Sequence, residues 1–256
     1  MRKPLPIALW IVAVLCITPV VILVLLSFSQ QWVYPFVLPK KFTAEAWYYI
    51  FEGDNKIAQG ILTSAGIALS VATLATAMGF FSSRLIAYHR YKRQLLLLAY
   101  LPFVLSPVIF AVCIKYYFII LGLAGTFWGV ILAQLIITYP YSIIFFTSFW
   151  NLRMQQYQSL VNTLGGSHTQ AFKKVVLPMA VPMLITGFFQ CFFISWFEYG
   201  LTFIIGFGKV QSLTIKVFQY LTEANIFYAA LSCCLLILPP ILLLWINKKF
   251  IYHKTV

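Results

Sequence analysis

Acidic residues are nearly missing from this chain: five of 256 residues, against 18 lysines and arginines, for a net charge of +13. Paired carboxylates for general acid–base chemistry therefore have few places to occur. The three histidines, His89, His168 and His253, are scattered and form no ligand cluster. The five cysteines, Cys16, Cys113, Cys191, Cys233 and Cys234, show neither a disulfide framework nor metal-site spacing. Glycine-rich phosphate loops, nucleophile elbows and metalloprotease motifs are also absent. No catalytic centre can be read from these residues, and an enzyme is not expected.

Apolar residues take the place of all of these. The chain is 62% hydrophobic and 9% charged, with a mean hydropathy of +0.92, more apolar surface than one water-soluble core can hide. It is expected to be an all-α integral membrane protein. Runs of about 20 apolar residues, enough to cross the hydrocarbon core, predict six helices near 6–28, 61–83, 95–119, 127–149, 179–202 and 225–247. Together they form one transmembrane domain spanning 1–256. The first run follows Met1-Arg2-Lys3, but it is longer than a signal-peptide core and no small-residue cleavage site follows, so it is read as retained.

Six crossings place both termini on one side, and the basic residues choose it. Twelve lysines and arginines (Arg2, Lys3, Arg84, Arg90, Lys92, Arg93, Arg153, Lys173, Lys174, Lys248, Lys249 and Lys254) fall on the side of the termini. Five fall opposite, at Lys40, Lys41, Lys56, Lys209 and Lys216, and Lys115 lies within a helix. Glu45, Glu52, Asp54 and Glu223 all fall on the side opposite the termini. The termini are thus expected in the cytoplasm, and the charge is read as membrane topology, with no nucleic-acid partner.

One segment, VNTLGGSHTQAFKKVVLPMAVP from Val161 to Pro182, is out of keeping with its apolar surroundings. It belongs to a cytoplasmic loop predicted over 150–178, long for a connection without a job. Tyr157, Leu160, Val161 and Leu164 have the spacing of one helical face, and Gly165-Gly166 read as its stop. Ser167 reads as the N-cap of a second short helix running to Pro178. Two helices joined by a glycine hinge would expose an apolar face, suited either to docking another protein or to lying on the membrane surface.

The stretch SLVNTLGGSHTQAFKKVVLP resembles the cytoplasmic coupling motif of binding-protein-dependent ABC importer permeases: Glu-Ala-Ala, three residues, Gly, about nine residues, then Leu-Pro. Gly165 stands at the motif glycine and Leu177-Pro178 at its end, while Ser159-Leu160-Val161 replaces Glu-Ala-Ala, so the acidic position is absent. FTAEAWYYIF, LSPVIFA and WFEYGLTFIIG are similar to family runs at corresponding places, closest to the polyamine, iron and small-solute type I group. The resemblance implies a six-helix type I permease fold in a bacterial inner membrane. It also implies a separate ATPase dimer that carries ATP and magnesium, a second permease subunit and a soluble substrate-binding protein. The coupling residues implied are Ser159, Leu160, Val161, Leu164, Gly165, Ala171, Phe172, Leu177 and Pro178.

Glu198, between Trp196 and Tyr199, is the one acid within a predicted span, where an ionisable group usually faces a cavity or a partner. The three are candidate pathway residues, with an internal salt bridge to Lys115 as the other use of Glu198. Lys115 itself reads as snorkelling to the outer interface. Tyr116, Tyr117, Trp128 and Tyr139 read as interfacial belts or a pore lining, belts being the commoner use, and Pro102, Pro107, Pro140, Pro178 and Pro182 as breaks or caps. A secondary transporter is the alternative function, although neither internal repeats nor further intramembrane acids are found.

Overall fold

The computed structural model describes residues 7–31, 41–44, 47–48 and 56–252. The predicted amino-terminal charges Arg2 and Lys3, and Glu45, Glu52 and Asp54 of the outer loop, lie outside the described residues. The chain forms two compact units, residues 1–62 with 212–242, and residues 63–211 with 243–256.

In the first unit, helix α1 (Ile7–Ser27) ends where the paired strands β1 (Ser29–Gln31) and β2 (Lys41–Phe42) begin. Phe28 stacks on Trp47 with ring centres 5.4 Å apart. Helix α2 (Lys56–Ala87) starts in this unit, beside a helix Leu213–Thr222 that Ser212 caps through the Ile215 N–H. Their approach is close at Gly60, where a Cβ would meet Lys216 Cγ at 3.4 Å. Lys216 is buried and donates to Gln219, which donates to Glu223. Burial lowers the Lys216 pKa, as does Lys56, and Glu223 opposes them.

In the second unit, α2 continues, followed by α3 (Lys92–Tyr100), α4 (Pro107–Ile120), α5 (Phe127–Thr147), α6 (Leu152–Thr163), α7 (His168–Ala171), α8 (Leu177–Trp196) and α9 (Gly200–Gly206). The first unit's helix is then α10 (Leu213–Thr222), and α11 (Ile226–Tyr252) ends the described chain. Among the described residues, four helices are long and apolar enough to cross a membrane: Lys56–Ala87, Phe127–Thr147, His168–Trp196 and Ile226–Leu243. The span expected at 95–119 is instead a bent pair, α3 and α4, meeting at 93°. Two prolines explain the bend. Pro102 sits in a 3-10 turn, Leu101–Phe103, and Pro107 starts α4 after an extended Ser106 at φ −60°, ψ 139°, the conformation a residue before proline prefers.

The span expected at 179–202 also differs. Its helix runs from His168 through a π-turn, Phe172–Val176, to Trp196, and α9 follows as a separate element. Pro178 therefore does not stop a short helix, as the sequence reading had it. Proline has no N–H to donate to the i−4 carbonyl and its ring crowds that carbonyl, but in the wider turn Leu177 N–H reaches back to the Phe172 carbonyl, and the helix passes the ring unbroken.

The second unit packs around α5, the most enclosed of the four spans: 56% of its apolar window is buried, against 28–39% for the others. One core cluster joins Phe80, Phe146, Trp150, Met154, Val176 and Ala180, and a second joins Ala111, Phe118, Ala133, Ile137, Leu201 and Ile205. Polar side chains stitch the same helices. Gln134 donates to Thr202 at 2.9 Å and accepts from Ser195, and Ser142 donates to the Ala75 carbonyl at 2.7 Å.

The α2–α5 crossing depends on one missing side chain. A Cβ at Gly79 would lie 1.7 Å from Ser142 Oγ and 2.7 Å from its Cβ. Although alanine is favoured over glycine in a helix, Gly79→Ala should destabilise by about 1–3 kcal/mol through overpacking and lower the melting temperature in detergent. Adding Ser142→Gly should restore part of the loss. A melting temperature that is unchanged or raised in Gly79→Ala would show that this crossing is not tight.

Candidate functional site

The segment between α5 and α8 is built from local signals. Asn151, at φ −99° and ψ 175°, caps α6 by accepting the Met154 N–H at 3.0 Å. Met154 is buried among Phe80, Phe146, Trp150 and Val176, which fastens the first turn of α6 to the core. At the other end Gly165 takes φ +81°, with its N–H on the Asn162 carbonyl and the Gly166 N–H on the Val161 carbonyl. Open space surrounds the position a Gly165 Cβ would take. The glycine is thus required by backbone conformation and not by crowding. Ser167 then forms a complete capping box with Gln170, at 3.2 Å and 3.0 Å.

The implied coupling residues divide into two sets. Leu160 and Leu164 are 56% and 79% exposed, Tyr157 is exposed beside them, and Val161 is half-buried. Ser159, at the position of the missing acid, donates to the Gln155 carbonyl of its own helix at 3.1 Å. Gly165, Leu177 and Pro178 are exposed. Ala171 is buried, and Phe172 is half-buried against Phe81, with rings stacked 6.1 Å apart. Phe172 thus packs the segment against α2, and neither residue shares the exposed face.

Four residues given no site role in the sequence reading, Ser83, Arg84, Trp150 and Gln158, hold α6 in place. The Arg84 guanidinium lies 5.5 Å from the Trp150 ring centre and donates to Gln158 Oε1 at 3.1 Å, while Trp150 Nε1 donates to Ser83 Oγ at 2.9 Å. The only sequence signal for this clamp is an arginine in the last turn of a long apolar helix, where a basic residue also suits the helix dipole.

Around Glu198 the geometry is that of a helix cap. Its carboxylate accepts the Leu201 N–H at 3.0–3.1 Å and the Thr202 N–H at 3.4 Å, at the start of α9. Gly200 leaves room there, since a Cβ would meet Val108 Cγ2 at 2.6 Å. Trp196 is buried and stacks on Phe192, while Tyr199 stacks on Phe203. The three candidate pathway residues thus face different neighbours. Lys115 Nζ sits 4.4 Å from the Phe207 ring centre, a cation–π placement. Among the described residues, no three His, Cys, Asp or Glu side chains are placed to hold a metal ion, and all five cysteines are free.

Comparison with known proteins bears on this architecture. The profile of the binding-protein-dependent transport system inner membrane component family matches residues 72–252. The spermidine/putrescine transport system permease protein PotC of Haemophilus influenzae is 25% identical over 205 residues, 78% of each chain. The molybdenum transport system permease protein ModB of Mycobacterium bovis is 25% identical over 207 residues, 74% of this chain and 78% of ModB. In fold, the chain matches one in the crystal structure of a bacterial ABC transporter involved in the import of the acidic polysaccharide alginate, with a TM-score of 0.70 at 15% identity, covering 96% of this chain and 94% of that one. The family profile spans the α2–α5 crossing, the capped two-helix segment and α8 to α11. This chain belongs to the family of binding-protein-dependent transport system inner membrane components, the permease subunits of ABC importers.

Proposed function

We propose that this permease crosses the inner membrane six times with both termini cytoplasmic, and that α6 is the docking point for a separate ATPase dimer. The six crossings would be α1, α2, the bent α3–α4 pair, α5, α7–α8 and α11. A second permease subunit completes the pathway, and a soluble binding protein delivers a small solute to it. The names of the relatives, which refer to polyamines and to molybdenum, support a small solute without choosing one. ATP and its magnesium bind on the partner, as this sequence has no phosphate-binding loop of its own.

The observation that carries this reading is the exposed Tyr157, Leu160 and Leu164 face on a helix clamped at Met154 and Arg84. An apolar helix face in water is stabilised by a partner groove. Because α7 runs without a break through the π-turn into α8, a push on the segment is delivered to a membrane span. With an exposed Ser159 in place of an acid, docking rests on apolar contact and on the glycine turn.

Cysteines introduced at Lys56 and His168, in a chain cleared of its own five, should be labelled from opposite faces of the membrane. Labelling from one face would overturn the six-crossing topology. Reconstituted alone, the chain should not move solute, and uptake without ATPase subunits and ATP would instead support a secondary transporter.

Replacing Gly165 by valine places a branched side chain at φ +81°, costing about 1–2 kcal/mol or more. Transport should fall well below half while expression and membrane insertion stay normal. Asparagine, which tolerates this region, should keep most of the activity. Equal transport by Gly165→Val and wild type would show that the turn is not required.

Glu198→Gln separates capping from solute selection. Glutamine retains one acceptor oxygen for the α9 N–H groups but has no charge. A cap alone predicts a modest loss of thermal stability, with uptake per assembled complex unchanged. A fall in uptake at unchanged stability would place the carboxylate in the pathway of a cationic solute.

A further inference from the structure

A cavity of about 740 Å³ opens where the α2 and α5 spans end, just past Ala87 and Thr147. Its size is that of a small-ligand site. Tyr88 and the buried Trp150 form its apolar wall, with rings edge-on at 6.3 Å. His89 and Lys92 line it from the α2–α3 connection and the start of α3, Arg153 from the first turn of α6, and no carboxylate is among the lining residues. Arg84, beyond the wall, is already engaged with Trp150 and Gln158.

The chemistry of these groups is one-sided. Lys92 and Arg153 bring fixed positive charge. His89 Nδ1 accepts the Tyr91 N–H at 3.1 Å, which leaves Nε2 as the nitrogen that carries a proton and donates. Three donors converging beside two interfacial aromatics, with no acid to neutralise them, suit an anion with several acceptor oxygens. The depth is that of the headgroups, because the cavity begins where the apolar spans stop.

We infer that the cavity between the Tyr88–Lys92 turn and the Trp150–Gln155 turn binds a phosphate group at the cytoplasmic surface, supplied by an anionic phospholipid headgroup or by free phosphate. The cytoplasmic placement rests on the topology proposed above, and the cavity itself does not. Basic pockets at the cytoplasmic ends of spans are well suited to anionic lipids. Such a lipid would tie the clamp under α6 to the surrounding leaflet, so that membrane composition would bear on how firmly the docking helix is held.

The test uses the complete transporter with its ATPase subunits, exchanged into micelles doped with either dioleoylphosphatidylglycerol or dioleoylphosphatidylcholine, with bound lipid read by native mass spectrometry. Wild type should retain phosphatidylglycerol over phosphatidylcholine. The double variant Lys92→Gln/Arg153→Gln should hold it about fivefold less tightly for each basic residue removed. Lys173→Gln/Lys174→Gln removes two exposed charges elsewhere in the same segment and should change nothing. If wild type shows no lipid preference but binds inorganic phosphate, and the first double variant loses that binding, free phosphate is the source. Equal retention by both double variants, or binding of neither probe by wild type, overturns the site. Loss of the ATPase subunits from the Lys92/Arg153 variant with lipid retention unchanged would assign the cavity to that partner and also overturns it. Binding in micelles is independent of which way the loop faces, so failure here leaves the proposed topology standing.

Discussion

Within a bilayer no water is available to satisfy a backbone or side-chain polar group, and this constraint accounts for most of what the polar residues of this chain do. Serines and threonines in the spans return their hydroxyls to their own helices: Thr18 to the Val14 carbonyl, Ser70 to Gly66, Thr138 to Gln134, Thr147 to Ile143 and Thr186 to Pro182. The larger groups are satisfied across helices. Gln134 alone joins α5 to Ser195 of α8 and Thr202 of α9. Individual bonds of this kind contribute only about 0.6 kcal/mol on average in membranes. Their stronger effect is on register, because sliding either helix would strand the amide in hydrocarbon.

Where attraction between apolar surfaces is weak, close packing takes its place, and small residues decide where helices meet. Gly79 admits Ser142, and Gly187 admits the Phe146 ring, whose Cζ would lie 2.4 Å from an added Cβ. Phe146 is thereby fully buried and carries the cluster that reaches Trp150 and Met154. The membrane-spanning core and the first turn of α6 are therefore one packed body. The start of α6 is held by the same aromatic cluster that joins the adjacent ends of α2 and α5.

Hydropathy made the long spans legible, since a 20-residue apolar run has few other uses. The capped turn at Gly165 to Gln170 was legible too, because its signals are local: a glycine for positive φ, then a serine and a glutamine three residues apart. What sequence reading missed depends on tertiary neighbours. Pro102 and Pro107 were visible as breaks, but the size of the bend they make between α3 and α4, 93°, is not written in the prolines themselves. Pro178 looked like an end because the π-turn that carries the helix past it leaves no sequence mark. Ala171 and Phe172 fall within the motif, yet Ala171 is buried and Phe172 stacks on Phe81 of α2, which so short a stretch of periodicity could not decide. Glu198 looked like a pathway acid because hydropathy placed it inside a span. The break after Trp196 also makes it the acceptor for the first N–H groups of α9, a bond that hydropathy does not show.

The position of that break has a mechanical consequence. From His168 to Trp196 the helix is continuous; the Ser167–Gln170 box caps its start, while the Glu198 carboxylate beyond its end accepts N–H groups of the next helix, α9. A capped first turn resists fraying, so displacement at the start of this helix would be passed along its length and not absorbed there. The softest point within it is the π-turn at Phe172–Val176, where hydrogen bonding is out of α-helical register. Phe172 lies in that turn, stacked on Phe81 of α2, and Val176 is buried in the same cluster as Met154. Any bending during transport would thus be concentrated next to the clamp and away from the Gln134 network.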